Sequence, residues 1–456
     1  MSAALDTTIS AAADRTAGGV RELAALAFPV ILTNLSATLM MTVDAAMVGH
    51  LGSTELGAVG YGGIWYWTVL SGFNGMASGV QTFVAQEHGA GESRRCGAWA
   101  WQGWYAVVPA ATLVIACFAL GFASLLALLG PDRALQPLSS TYVHARALGV
   151  LPLMTAMVIA GFLRGFGDTR TPLYAMVAAN LLNLVLNYGL IYGHLGLPAW
   201  GVYGSGFATA IAEWLYAAWL VVAFRRARLS QRFDTEPVAP DWAAIRRFLR
   251  TSAPIGGQWW LDMLAFAVFS TVVARMGAQE MAASQAMISL MHLSFMQIVG
   301  VQIATATLVG RYVGSGNLVA AARSHASALR FGLSLSALSA AVYLSAPDLC
   351  LRLFTADSTV LRLGAPLLLV GSAFQFFDAL GVIAGGALRG AGDTRWPFLV
   401  QTVLAWGLFL PAAWLLGTVL DGGLTGAWLG GVVYVVVLGA ALHWRFRGGA
   451  WQRVRI

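Results

Sequence analysis

Long runs of apolar residues, broken by short clusters of glycine, proline and arginine, fill this chain from Leu26 to Leu442. Reading the runs against the breaks predicts twelve helices, over approximately 26–49, 57–83, 99–129, 142–163, 172–193, 203–224, 252–275, 283–309, 326–346, 366–388, 397–420 and 424–443. Each supplies the roughly 20 apolar residues that a bilayer core requires. Lipid admits only helices and closed barrels, because no water is present there to satisfy open backbone groups. A barrel strand would alternate apolar and polar positions over about ten residues. Leu26–Met41 and Leu181–Leu190 do not alternate, so the expected class is all-α integral membrane.

Composition strengthens that reading. Hydrophobic residues make up 58% of the chain and charged residues only 10%, where a soluble domain carries about 25% charged. Mean hydropathy is +0.71. A net charge of +7 would raise nucleic acid as a partner in a soluble protein; here the charge lies in short loops, where it reports topology. All 27 basic residues are arginine. Twenty-two of them fall on the side of the N-terminus, the even-numbered loops and the C-terminal tail, Arg15 and Arg455 among them. The other side has Arg133, Arg146, Arg275, Arg352 and Arg362. That asymmetry predicts an even number of spans with both termini in the cytoplasm; the expected location is a bacterial inner membrane. Cys96, Cys117 and Cys350 form no disulfide framework or metal motif. Met1–Arg21 has no apolar core, so no cleaved signal peptide is expected.

The chain also repeats itself. Leu163-Arg164-Gly165-Phe166-Gly167-Asp168-Thr169-Arg170-Thr171-Pro172 returns 225 residues later as Leu388-Arg389-Gly390-Ala391-Gly392-Asp393-Thr394-Arg395-Trp396-Pro397. The same offset pairs Pro29 with Pro254, Gly52 with Gly277, Glu55 with Glu280, Thr82 with Thr307, Asp132 with Asp357, and Gly201 with Gly426. Six spans per copy is an even number, so the copies enter the membrane from the same side. They are parallel repeats about an axis along the membrane normal. The expected organisation is a tail over 1–25, an N-lobe over 26–224, an Arg-rich cytoplasmic linker over 225–251, a C-lobe over 252–443 and a second tail over 444–456. The two repeated turns read as structural: glycine for the tight bend, aspartate to cap the next helix, proline to open it.

Four acids fall inside apolar runs: Asp44, Glu213, Asp262 and Asp378. Each costs roughly 2.5–3.5 kcal/mol at a helix centre on insertion scales, so each is a functional candidate by default. No arginine is expected deep enough in a span to neutralise them. They must meet water, a proton, a bound cation or one another. At helical spacing Gln258, Trp259 and Phe266 accompany Asp262, and Phe374 and Gln375 precede Asp378. Gln285 and His292 share a polar stripe on the eighth helix, and Asn180, Asn183 and Asn187 form another on the fifth. A carboxylate beside rings suits an organic cation, through charge and cation–π attraction. The same carboxylate beside amides suits Na⁺ or a proton, and Asp262 with Asp378 could hold Na⁺. The asparagines could equally join helices, and His292 could be a packing residue. Glu213 could serve an internal polar patch. The acids are not repeated: at offset 225 Asp262 faces Ala37, Asp378 faces Leu153 and Asp44 faces Phe269.

Three stretches carry a family resemblance: Val43-Asp44-Ala45-Ala46-Met47-Val48-Gly49-His50-Leu51-Gly52, Pro254 with Asp262 eight residues on, and Phe374-Gln375-Phe376-Phe377-Asp378-Ala379 leading into Leu388-Arg389-Gly390. The chain resembles the multidrug and toxic compound extrusion (MATE) family, in its NorM-like branch, over roughly 22–445. The resemblance implies a two-lobe MOP-type fold that opens alternately to either side. It implies export of cationic amphipathic compounds in exchange for Na⁺ or H⁺, by a monomer with no cofactor other than that ion. It implies coupling roles for Asp262 and Asp378 and for Asp44. The chain departs from the family pattern at Asp262, where glutamate is usual, at Phe374, where tyrosine is common, and at Asn187, where some relatives carry an acid. The rival reading is a flippase for lipids or lipid-linked oligosaccharides with a related build, whose cavity should be basic. An integral-membrane enzyme is disfavoured by the lack of an intramembrane zinc motif or Gly-x-Ser-x-Gly.

Overall fold

The computed structural model describes residues 17–129, 133–352, 358–454 and 456. Arg15, Asp132, Asp357 and Arg455, used above, lie outside them. Twelve principal helices follow in order: α1 (Val20–Gly49), α2 (Ser53–Gly89), α3 (Arg95–Leu129), a bent α4 (Leu135–Ala147 and Val150–Phe166), α5 (Arg170–Tyr192), α6 (Gly201–Phe224), α7 (Trp242–Ala274), α8 (Ala278–Gly314), α9 (Leu318–Ser345), α10 (Ser358–Gly390), α11 (Arg395–Leu404, continuing to Val419) and α12 (Gly423–Arg447). Ten of these are long and apolar enough to cross a membrane, and α4 makes an eleventh as a pair bent by 49°. The twelfth, α2, has 37 residues and is diluted by glycine and polar side chains.

The repeat is visible in the element boundaries. α2 and α8 are displaced by 225 residues at both ends, and α5 and α11 begin at Arg170 and Arg395. Both copies of the repeated turn place a glycine in the left-handed region, Gly167 at φ 103° and Gly392 at φ 89°. A side chain there would strain the backbone. The following aspartates then diverge. Asp168 caps α5, accepting from the Arg170 and Thr171 amides at 3.2 and 3.0 Å. Asp393 instead pairs with Arg445 at 3.0 Å, whose guanidinium lies over Trp396.

By contact the chain divides into two compact units. The first is Leu32–Val84 with Glu92–Trp260, and the second is the chain up to Ile31, Ala85–Gly91 and Leu261 onward. The unit boundaries cut α1 and α7 shortly after Pro29 and Pro254. Proline removes a helix hydrogen bond and weakens the rod at that point, so the two halves of each helix can follow different partners. In the second unit the start of α1 is tied down by polar contacts. Glu22 accepts from the Tyr312 hydroxyl at 2.7 Å and lies 3.5 Å from Arg311, and Ser327 donates to the Gly18 carbonyl at 2.8 Å. The core of that unit gathers Phe269, Met287, Leu367, Phe409 and Trp428.

The segment read as a linker is ordered and strapped onto the first unit. Residues Ala227–Phe233 form a short helix, and α7 has begun by Trp242. Phe233 is fully buried, stacked on Phe166 at 4.5 Å and edge-on to Phe162 at 5.6 Å. Trp101, Gln102 and Tyr105 on α3 donate to the carbonyls of Thr235, Ala239 and Val238 at 3.1, 2.9 and 3.0 Å. The prolines at 237 and 240 offer no amide hydrogen, so side chains of α3 take up the open carbonyls that a regular element would have used.

Candidate functional site

In the first unit Asp44 projects from the last two turns of α1 toward α5 and α6. Asn187 donates to its Oδ1, and the Thr209 hydroxyl lies 3.1 Å from its Oδ2. Asn187 also donates to Asn183 Oδ1 at 3.1 Å, and Asn183 to Thr209 Oγ1 at 3.2 Å. One turn further back, Asn180 donates to the Ser36 carbonyl at 2.8 Å and to its hydroxyl at 2.6 Å. The asparagine stripe joins α5 to α1 and α6, and through Asn187 it presents one neutral amide to a carboxylate, Thr209 of α6 supplying the second neutral group. The spacing of Asn180, Asn183 and Asn187 made the stripe legible; Thr209 and Ser36 carried no signal beyond a hydroxyl in an apolar run. Gln258, buried, and Trp259, half-buried, also belong to this unit.

In the second unit Asp262 accepts a hydrogen bond from Gln401 on α11. Asp378 is close enough to interact electrostatically with Asp262, and both act on Tyr434 of α12. Arg389 interacts with Asp262 electrostatically as well. Gln401 and Tyr434 were missed in the sequence. α11 reads as a plain apolar span, and only its fold back against α7 gives Gln401 a role. The helix is irregular there: beyond Leu404 it widens into two π-helical turns on either side of Pro411, Ala405–Phe409 and Leu415–Val419. Such turns recur at functional sites.

The remaining predicted residues are spread more widely. Phe374 packs edge-on against Trp428 at 5.9 Å. Gln375 is buried and donates to the Ser336 carbonyl on α9 at 3.1 Å, a helix-joining contact. Phe266 lies 6.1 Å from Phe269 and is 37% exposed. Gln285 and His292 are exposed on α8.

One expectation is overturned. An arginine does lie deep enough to neutralise a membrane acid: Arg146 Nη1 is 2.9 Å from Glu213 Oε1, with side-chain exposures of 5% and 9%. Counted toward topology near the start of a helix expected from 142, Arg146 sits in the first half of α4, which begins at Leu135. Asp44, Asp262 and Asp378 differ from Glu213 in this respect. Among the described residues none of the three is in an ion pair; their hydrogen-bond donors, where they have them, are neutral.

Comparisons with known proteins bear on the family and the fold. The MatE family model matches twice, over residues 29–189 and 254–415, and the two matches start one repeat length apart. The chain belongs to the MatE family. A "Probable multidrug resistance protein NorM" of Rhodopseudomonas palustris (strain ATCC BAA-98 / CGA009) is 32% identical over 92% of this chain and 90% of its own. The one from Geobacillus kaustophilus (strain HTA426) is 29% identical over 96% of both chains. Among solved structures, an outward-facing multidrug resistance MATE family transporter of the MOP superfamily matches with a TM-score of 0.89 at 19% identity, covering 97% of this chain and 98% of that one. A MATE in the straight conformation matches with a TM-score of 0.87 at 20% identity, over 95% and 97%. At those identities the structures speak for the fold. The twelve-helix, two-repeat architecture is thus a MatE architecture, and the acids stand within it.

Proposed function

We propose that this MatE protein is a secondary active antiporter that exports cationic amphipathic organic compounds, a multidrug efflux function, in exchange for Na⁺ or H⁺. The observation that carries the reading is the absence, among the described residues, of any ion pair at Asp44, Asp262 and Asp378. A carboxylate in an apolar helix that has no fixed counter-ion must take a mobile one. The multidrug resistance relatives support the substrate class, and the exposed Phe266 ring beside Asp262 supplies apolar area for an organic cation.

The proposed cycle follows from competition. A cationic drug enters from the cytoplasmic side and binds against Asp262 and Asp378. Na⁺ or H⁺ then arrives from the opposite side, occupies the same carboxylates and releases the drug there. The membrane potential supplies about 2.3 kcal/mol per charge per 100 mV, roughly a fiftyfold gradient for each charge moved. Gln401 orients Asp262 for either occupant. In the first unit Asn187 and Thr209 hold Asp44 ready for the coupling ion. The protein works as a monomer in a bacterial inner membrane with both termini in the cytoplasm, a topology that rests on the arginine asymmetry.

The test is ethidium efflux from proteoliposomes under separately imposed Na⁺ and pH gradients, with Asp378→Asn alongside. Efflux driven by one gradient and lost in the variant is expected and names the ion. Failure of either gradient to move any cationic dye, with inserted and folded protein, would refute the antiporter and favour a lipid flippase.

A further inference from the structure

The ion pair between Arg146 and Glu213 lies outside the three acids used above. Of the four ion pairs among the described residues, it alone has both side chains more than nine-tenths buried. The pair is built into the break of α4. The helix bends by 49° between Ala147 and Val150, and the Gly149 amide tightens onto the Arg146 carbonyl at 3.0 Å. Glu213, on α6, fills the notch. A methyl group at Gly149 would overlap Glu213 Oε2 and approach Ala210 Cα to 3.1 Å. Glu213 Oε2 is buried with no hydrogen-bond partner. The guanidinium stands 4.9 Å from the centre of the Tyr66 ring, and the Tyr66 hydroxyl donates to the Arg146 carbonyl at 3.3 Å.

The titratable groups around the pair come from every side. Tyr66 faces it from α2, Tyr142 from α4 itself and Asp44 from α1, and Asp44 interacts electrostatically with both Arg146 and Glu213. Thr209, 3.1 Å from Asp44, stands one turn before Glu213 on α6, so the first unit gathers three ionisable groups: Asp44, Glu213 and Arg146. With both acids ionised it carries one negative charge. An isolated net charge in a low-dielectric interior is costly, so one monovalent cation completes the group. Without Arg146 the same two acids would call for two.

We infer that the Arg146–Glu213 pair sets the cation count of the first repeat at one, and directs that cation to Asp44 by occupying Glu213 with a fixed charge. The proposal rests on the reading of Asp44 as a coupling residue. Arg146 is a positioning residue, acting through the charge it withholds from or lends to Asp44. The pair belongs to the first repeat alone: at offset 225 Arg146 faces Gly371 and Glu213 faces Leu438. The shared ligand chemistry is a small monovalent cation, and the experiment separates Na⁺ from H⁺.

The test counts cations on purified full-length protein. One arm measures ²²Na⁺ bound at saturation; the other measures protons taken up per protein, with a pH dye, when a weakly alkaline sample is brought to neutral pH. In whichever arm the parent protein gives a signal, Asp44→Asn should lose one cation. Arg146→Gln should gain one, because Glu213 is then a second unneutralised carboxylate. Glu213→Gln should lose one, because Arg146 becomes the counter-ion of Asp44. A lone buried guanidinium can prevent folding, so the deciding variant is Asp44→Asn/Arg146→Gln. It leaves only a carboxylate, and it should recover the cation that Asp44→Asn alone loses. If Asp44→Asn loses one cation and the double variant does not recover it, the pair is purely structural and the proposal is overturned. If Asp44→Asn loses none, the reading of Asp44 itself fails.

Discussion

Replacing Phe233 by alanine should release the linker from the first unit, and the size of the effect follows from how the ring is held. Phe233 is fully buried between Phe166 and Phe162. Truncating a buried phenylalanine costs about 3–5 kcal/mol. The lower end applies here, because a surface strap can settle into part of the space. About 3 kcal/mol is roughly a 150-fold rise in the fraction of time the strap is open. Arg225, Arg226, Arg228 and Arg232 are exposed along it, yet trypsin needs an extended stretch of chain and cuts only the open form. When opening and closing are fast, the cleavage rate follows the open population. Limited trypsinolysis of the detergent-solubilised protein, followed by gel, should therefore show Phe233→Ala cut into two halves about 150 times faster than the parent. Tyr105→Phe removes one hydroxyl that donates to the Val238 carbonyl at 3.0 Å. A single hydrogen bond is worth about 1 kcal/mol, so this variant should be cut about fivefold faster. Equal rates for Phe233→Ala and the parent, with both proteins monodisperse, would refute the strap.

Three further outcomes follow from named contacts. Gln401→Leu removes the amide donor that stabilises the free Asp262 carboxylate; hydrogen bonds to charged groups are worth about 1.5–3 kcal/mol, so the carboxylate should hold its coupling ion more tightly and the ion concentration for half-maximal efflux should fall by about tenfold, and an unchanged value would count against Asp262 as an ion site. Gly149→Ala should push Glu213 out of the notch in α4, and disrupting a buried pair costs up to about 3–5 kcal/mol; the variant should melt several degrees lower in detergent, whereas Gly121→Ala, at a position with open space around it, should not. Asp393→Ala breaks the pair with Arg445, which is 27% exposed; solvent softens that loss to about 1–2 kcal/mol, and a melting shift as large as that of Gly149→Ala would be unexpected.

The fold was legible because membrane insertion imposes a coarse rule that single residues cannot easily break. Twelve apolar runs, one offset and an arginine asymmetry suffice for it, and the offset reappears in the structure at the ends of α2 and α8. The acids were legible for the converse reason, since each violates the rule at a recognisable cost. Their partners were not. Thr209 and Gln401 are unremarkable in sequence and matter only because α6 and α11 fold back onto acids more than a hundred residues away. Arg146 was hidden more deeply. Placed near a predicted helix start, it counted toward topology, whereas the structure extends α4 through it and breaks the helix three residues later.

That error bears on how the two repeats divide their labour. Duplication supplies matching turns and matching helix ends, but ionisable residues inside lipid are costly, so after duplication each copy keeps only those it uses. The first copy has Asp44 and a neutralised Glu213; the second has Asp262 and Asp378, with Arg389 within electrostatic reach. Each copy has two acids, and these stand at positions the offset does not relate, whereas Arg389 occupies the place of Arg164 in the repeated turn. Inherited symmetry would have put the acids at matching sites. Because the acids stand at different sites, each copy acquired its own after the duplication, while the shared turn with Arg164 and Arg389 was kept.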